Sequence, residues 1–503
     1  EARADGRARE RLRDARGGLT APPVVPPAAP RRRGGLRVVQ VLLQGRVDAE
    51  LSSAGAGDGG GLATLLVQLS RELARLDEVD EVVTVTRAFA GADADAAYAE
   101  LTEPVAAGAR IERIPFGPPG YVATSELWEH RAEIERELAA LLARLGPVDA
   151  VHLRFADAGT LAAARVSARA GIPIVFTLAP DPHVVIEEAE RAGELDRDGL
   201  AEADATQHYV FRARLVEWML DHAHRLALLP RAGARPELRR LLGLPLLGAR
   251  AGRVRTVPEG ISLDPLEAAR AERAAGVEPS VVADLRRAVH ALPPARRGLP
   301  ILLSVGRLHP VKGFPSLVEA WAGDPELWAA LNLVVVGGEL ERPTPTEEAV
   351  LAELALVAGR APGATDGLVL LGHRPHADVA RLLVAAREGV AGAVAPGGVY
   401  ACASLKEEFG LALLEALAAG LPVVGPDAGG PPTFVEDGVT GFLTETASVP
   451  ALQQALRRAA AVRHDAERAA LAATAVRRRH TIGAMARGLA SLYEGEASER
   501  VAA

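Results

Sequence analysis

Only two lysines, Lys312 and Lys406, stand among the 57 basic side chains of this 503-residue sequence. Nearly every cation is arginine, so a lysine kept against that bias reads as one required for its compact, flexible ammonium. Each lies in a stretch whose residue types could do chemistry. The first runs Ser304-Val305-Gly306-Arg307-Leu308-His309-Pro310-Val311-Lys312-Gly313 and follows a short apolar run. Arg307 and Lys312 can converge from this loop on a diphosphate and stabilise the charge that grows on it as it departs. Taken alone, the segment reads equally as a solvated basic loop.

The second stretch is Lys406-Glu407-Glu408-Phe409-Gly410-Leu411-Ala412-Leu413-Leu414-Glu415-Ala416. It places Glu407 in a loop and Glu415 on a helix starting near Gly410. Helical side chains tilt toward the N-terminus, so Glu415 can reach back to a ligand there. That helix end favours phosphate, and a carboxylate can accept two hydrogen bonds from a ribose diol. The competing reading makes Glu415 an ordinary exposed residue. The flank Leu411, Leu413, Leu414 and Leu417 points instead to a largely buried helix, where an unpaired carboxylate is costly.

A third stretch, Gly55 to Gly61, contains G-x-G-x-x-G at Gly55, Gly57 and Gly60. A dinucleotide fingerprint starts where its strand ends and needs an acidic residue at the end of the next strand. Here the strand ends well upstream, and the next ends in Thr86-Arg87, so the NAD reading is rejected. Gly59-Gly60-Gly61, just before a Leu-rich helix, suit a close backbone approach to phosphate or sugar. A plain glycine linker is the alternative.

These residues need elements to position them. Apolar runs at Leu36–Leu43, Val79–Thr86, Ile111–Pro115, Ala150–Leu153, Ile172–Thr177, Leu226–Leu229 and Val254–Val257 predict buried strands. A second series predicts strands at Ile301–Val305, Leu333–Val336, Leu368–Leu371, Val399–Ala401 and Pro422–Val424. Helices between strands imply parallel sheets covered on both faces. The expected fold is α/β, with two Rossmann-like, doubly wound domains facing a cleft, and ligands at the carboxyl ends of the strands. The division is a flexible Arg/Pro-rich tail at 1–35, an N-terminal domain at 36–264 and a helical connector at 265–298. A C-terminal donor domain at 299–480 and a final helix at 481–503 complete it.

Composition narrows the function classes. With 49% hydrophobic and 24% charged residues, the chain reads as an ordinary soluble protein. A net charge of −8 argues against nucleic acid as partner. The lone Cys402 excludes an intrachain disulfide and a cysteine-rich metal site. No apolar run reaches the ~20 residues of a membrane span, and the Arg-rich start lacks the apolar core of a secretory signal. The expected location is the cytoplasm. Asp93-Ala94-Asp95 and Asp196-Arg197-Asp198 lie in acidic, exposed stretches, so no metal site is expected.

The pattern G-R-x4-K-G, then E-F-G-L within E-x7-E, then Gly429-Gly430-Pro431 and Gly438 to Phe442, resembles the family 4 retaining glycosyltransferases of GT-B fold. Asp58-Gly59-Gly60, Ile111 to Pro118, Leu127-Trp128, His152 to Gly159 and Val175-Phe176-Thr177 resemble the sucrose-phosphate synthase and sucrose synthase branch. Together the resemblance spans most of residues 36 to 480. It implies that Arg307 and Lys312 bind the donor diphosphate, that Glu415 binds the ribose and that Glu407 lies by the transferred sugar. The backbone of Phe409, Gly410 and Leu411 would lie close to that sugar, with His373 and Arg374 by the base and Gly59, Gly60 and Gly61 over the phosphates and acceptor. The branch carries a histidine soon after its F-T pair; here His183 offers one from a longer loop, and Arg154 stands for the second histidine of H-G-H.

The reaction implied is retaining transfer from an NDP-sugar, UDP-glucose first, to a hydroxyl of a small acceptor, without a tightly bound cofactor. The acceptor is expected to be non-phosphorylated, and specifically not fructose 6-phosphate. Gly117 to Thr124 carries no cation and Leu178 to Val185 only His183, whereas a buried phosphate dianion needs basic partners. Arg154 could compensate. Two alternatives stand beside this reading: a sucrose or sucrose-phosphate synthase-like enzyme, and a catalytically inactive nucleotide-sugar-binding regulator. Oligomeric state is not legible.

Overall fold

A computed structural model describes residues 35–51, 60–91, 96–179, 195–230, 251–361, 364–405 and 407–501, with Pro182, Val185, Ile186 and Glu190. The expectations for Asp58, Gly59, His183, Lys406, Asp93 to Asp95 and the tail lie outside the described residues. The N-terminal strands are β1 (Leu36–Val41), β2 (Val79–Ala88), β3 (Thr102–Ala106), β4 (Ala109–Pro115), β5 (Ala150–Arg154), β6 (Ile174–Leu178), β7 (Arg225–Leu228) and β8 (Val254–Thr256). They form one sheet in the order β3-β4-β2-β1-β5-β6-β7-β8. Every pairing is parallel except β3 with β4.

That antiparallel edge departs from the all-parallel expectation. β3 alternates exposed and half-buried residues and holds Pro104, so it shows no apolar run; an edge strand tolerates proline because one side of it has no partner. β2 also runs two residues past its expected end, to Ala88.

The C-terminal strands are β9 (Ile301–Val305), β10 (Asn332–Val336), β11 (Leu368–Leu370), β12 (Val399–Ala401), β13 (Val423–Pro426) and β14 (Phe442–Thr444). Their order is β11-β10-β9-β12-β13-β14, all parallel. Central strands bury both faces, as in β9 with Ile301, Leu302 and Leu303. This follows from helices lying on both sides. In each sheet the strand order reverses beside the first strand of its series, β1 or β9, where a crevice opens at the carboxyl ends.

Two helices at Asp264–Ala274 and Ser280–Ala291 join the core of the second sheet through Leu266, Ala269, Val281, Leu285 and Val289. The final helix, Ile482–Val501, returns to the first sheet. There Ile482, Met485, Leu489 and Tyr493 share a core with Leu65, Leu66 and Leu69 of the Gly60–Leu73 helix. No helix among the described residues is long and apolar enough to cross a membrane.

Candidate active site

The carboxyl ends of β5, β9 and β12 meet around one cavity of ≈ 420 Å³. Its N-terminal wall includes Gly61, Leu62, Thr64, Leu65, Arg154, Phe155 and Glu259. Its C-terminal wall brings together Arg307, Lys312, His373, Arg374, Glu407, Phe409, Gly410, Leu411 and Glu415. A β-carbon on Gly61 would sit 3.7 Å from Leu411 Cδ1, so the glycine loop faces the start of the Leu411–Ala419 helix across the cleft.

The Lys312 loop is fixed by backbone packing. Gly313 has φ 62, and a β-carbon there would lie 2.1 Å from the Ala403 carbonyl oxygen. Only glycine permits that approach, which sets Lys312 beside the end of β12. Lys312 Nζ donates to Glu407 Oε2 at 2.9 Å. The same oxygen accepts from Ser404 Oγ at 3.0 Å and Cys402 Sγ at 3.5 Å. Burial opposes the Lys312 charge, yet Glu407 outweighs it and holds the ammonium above its ordinary pKa. Burial likewise opposes the Glu407 charge, and Lys312 outweighs it and holds the carboxyl low. Burial pushes the Cys402 thiol up to about 11, with Glu407 adding to the shift, so the thiol stays protonated and acts as a weak donor.

Glu415 sits on the cavity side of its helix and has a partner absent from the sequence reading. His376 Nε2, in the first turn of the His376–Glu388 helix, lies 2.7 Å from Glu415 Oε1. Burial would lower the His376 pKa, but Glu415 outweighs it and the value is raised. His376 Nδ1 lies 3.5 Å from Gln68 Nε2, on the Gly60–Leu73 helix of the other sheet. No spacing rule joins position 376 to 415. The only available signal was its place just after the strand end at Gly372-His373-Arg374.

His373 Nε2 is buried without a hydrogen-bond partner. Arg374 forms an ion pair with Asp284 at 3.1 Å, so a residue of the connector helices steadies it. On β5, which leads to the opposite wall, His152 is buried and locked, with Nδ1 at 2.7 Å from Tyr493 Oη and Nε2 at 2.7 Å from Thr177 Oγ1. Beside it Arg154 faces Glu259. Arg87 donates to the Phe116, Pro118 and Gly120 carbonyls, which secures the Gly117 loop from beneath. Asp196 Oδ1 accepts from the Gly199 amide. Among the described residues no group of three or more His, Cys, Asp or Glu is placed to hold a metal ion.

The site can therefore offer Arg307 and Lys312, a helix N-terminus and the partnered carboxylates Glu407 and Glu415 to one ligand, with Arg374 and Arg154 also on its walls. Residues 290–476 match the family model described as Glycosyl transferases group 1. The chain is 26% identical over 497 residues to sucrose-phosphate synthase from Spinacia oleracea, covering 85% of this chain and 44% of that protein. It thus spans less than half of that relative's length. It is 29% identical over 439 residues to D-inositol 3-phosphate glycosyltransferase from Kribbella flavida, covering 84% and 86% of the two chains. Among solved structures, sucrose-phosphate synthase from Thermosynechococcus elongatus superposes with a TM-score of 0.67 at 20% identity, over 92% of this chain and all of that one. HepE from Anabaena, in complex with UDP-glucose, superposes with a TM-score of 0.56 at 19% identity, over 93% of this chain and all of that one. Every residue of the cavity's C-terminal wall lies within the segment that matches the glycosyltransferase group 1 model, and the chain with its two sheets has the GT-B fold of these structures.

Proposed function

We propose that the chain is a cytoplasmic glycosyltransferase that moves a sugar from an NDP-sugar to a hydroxyl of a small, non-phosphorylated acceptor, with retention at the anomeric carbon. One observation carries this reading. The Lys312–Glu407 pair, Arg307 and the Glu415–His376 pair surround the N-terminus of one helix inside a single cleft cavity. UDP-glucose is the first donor, by resemblance and because HepE is a UDP-glucose complex of the same fold.

In this reading the diphosphate lies between Arg307, Lys312 and the first turn of the Leu411–Ala419 helix. These groups stabilise the leaving group as its charge develops. Glu415 accepts from the ribose diol while His376 holds its Oε1. His373, with an unpartnered Nε2, and Arg374 lie at the base end. Glu407 and the backbone of Phe409, Gly410 and Leu411 meet the transferred sugar. Gly59, Gly60 and Gly61 close over the phosphates, and His183 serves near the reacting carbon. No described side chain is arranged as an activated nucleophile, so leaving-group stabilisation and exclusion of water supply the rate enhancement.

The test is a donor panel scored by nucleotide release across neutral and phosphorylated acceptors. UDP-glucose should give acceptor-dependent UDP release. Failure of every NDP-sugar to turn over would leave a nucleotide-sugar-binding regulator in place of an enzyme. Efficient, saturable formation of sucrose 6-phosphate from fructose 6-phosphate would overturn the acceptor reading.

A further inference from the structure

The N-terminal wall of the cleft holds a charged group that the donor chemistry does not use. Arg154 ends β5 and is 3% exposed. Its Nη1 lies 3.5 Å from Glu259 Oε1, while Nε and Nη2 are buried without a hydrogen-bond partner. An orphaned donor on a buried cation is costly and calls for an explanation. The neighbouring backbone is strained as well. Phe155, which also borders the cavity, has φ 64, a left-handed conformation that is unfavourable for a bulky side chain.

The two orphaned nitrogens share one edge of the guanidinium. That edge presents two parallel N–H donors, the geometry that receives a carboxylate or a phosphoryl group in bidentate fashion. Charge decides between them. Among the described residues of the N-terminal wall, Arg154 is the only cation, and the Glu259 carboxylate, itself 8% exposed, sits at its other edge. A monoanion at the free edge leaves the trio at one net negative charge. A phosphate dianion there would add a second and press it against Glu259 in a low-dielectric site.

We propose that Arg154 is a specificity-determining residue that receives a carboxylate of the substrate through its Nε–Nη2 edge, with Glu259 fixing the opposite edge. The proposal rests on the transferase reading only for which molecule carries the carboxylate. A sugar acid as acceptor and a uronic acid as donor sugar share this chemistry.

Both sources can be read by binding and by turnover on the whole chain. The acceptor arm compares glucuronate with glucose, glycerate with glycerol, and glucose 6-phosphate with both sets, in the presence of UDP. The donor arm compares UDP-glucuronate with UDP-glucose. In the parent the carboxylate member of at least one arm should bind roughly tenfold to a hundredfold more tightly than its neutral counterpart. Arg154→Met should remove that preference while calorimetric affinity for UDP is unchanged. Glu259→Gln should strengthen carboxylate binding and admit the phosphate ester, an inversion that a purely structural pair would not produce. Because Arg154→Met leaves Glu259 buried alone, Arg154→Met/Glu259→Gln is the folded control and should show no preference. Tighter binding of the neutral or phosphorylated ligands by the parent, no response to any carboxylate, or a preference that survives Arg154→Met each overturns the proposal. Loss of UDP binding by the parent would overturn the donor reading instead, and the carboxylate comparison would still be read directly.

Discussion

Replacing Lys312 by alanine should have two separable effects, on stability and on catalysis. Breaking a fully buried ion pair from one side costs about 3–5 kcal/mol, because it strands the other charge. Here the side chains of Lys312 and Glu407 remain 22% and 17% exposed. Glu407 also keeps Ser404 Oγ at 3.0 Å and Cys402 Sγ at 3.5 Å. The stranded carboxylate is thus partly solvated and still hydrogen-bonded, which brings the expected loss down to about 2 kcal/mol. Glu407→Gln in the Lys312→Ala background removes the stranded charge and should restore most of that loss. It should restore none of the turnover. Removing a charge-assisted contact to the leaving diphosphate costs about 2–4 kcal/mol of transition-state stabilisation, or about 30- to 900-fold in rate. Lys312→Arg should fold normally yet stay impaired, since the bulkier planar guanidinium must enter a channel where Lys312 Cδ lies 3.4 Å from the β-carbon position of Gly306. The assays are urea unfolding and UDP release on parent, single and double variants. If the double variant is no more stable than Lys312→Ala, the pair carries no stranded-charge cost. If Lys312→Ala turns over within threefold of the parent, the diphosphate assignment is wrong.

Arg307→Ala should lose turnover over the same range of about 2–4 kcal/mol while retaining its circular dichroism; near-normal turnover would exclude it from the donor site. Glu415→Ala should weaken UDP binding roughly tenfold to a hundredfold by calorimetry, whereas Glu407→Gln should slow turnover with UDP affinity little changed; equal UDP affinity of parent and Glu415→Ala would refute the ribose role. The raised His376 pKa sets a pH dependence. Its folded value lies above the ordinary value of about 6.5, so the stabilising contribution is complete below that value and is lost as pH rises through the folded one. An NMR titration of His376 should show the elevated pKa in the parent and a fall below the ordinary value in Glu415→Gln, where burial acts unopposed; an unchanged titration would mean that the 2.7 Å contact does not govern the histidine.

The C-terminal half was the more legible, for a physical reason. Arg307 and Lys312 follow β9, Glu407 and Glu415 follow β12, and β9 and β12 are adjacent in the sheet. Two short stretches therefore carry most of that wall, and the resemblance joins them although each alone is a weak signal. His376 escaped because its partner is 39 positions away and on another helix. The Arg154–Glu259 pair escaped for the same reason, at a separation of 105 positions. The resemblance marked His152 and Arg154 alike, at the two histidine positions of H-G-H; both are buried, and hydrogen bonding divides them. His152 spends both ring nitrogens on Tyr493 and Thr177, whereas Arg154 leaves two donors unmatched. β3 and β14 were missed because neither shows an apolar run: one is an alternating edge with a proline, the other only three residues long. The return of the last helix to the first sheet has no local signal at all, since its apolar residues would suit either core.

That return gives the cleft its mechanical logic. The described chain passes between the two sheets near Gly260 and again near Thr481, and the passages are paired with each other. Ile261 N donates to His480 O at 2.9 Å and Ile482 N to Ile261 O at 2.8 Å. The fit is close enough that a β-carbon on Gly260 would lie 2.2 Å from the Thr481 carbonyl oxygen. Any rotation of one sheet against the other must be absorbed at this pair of crossings. Neither crossing is remote from the chemistry. Glu259 precedes the first and borders the cavity beside Arg154. His480 precedes the second and packs on Phe409 and Phe434, with ring centroids 6.1 and 5.7 Å away. Phe409 in turn belongs to the loop that carries Glu407. A closing motion about the crossings would therefore move Glu259 relative to one wall and the Glu407 loop relative to the other. The two walls touch where Gln68 Nε2 lies 3.5 Å from His376 Nδ1, so a ligand held by both walls would bias that motion.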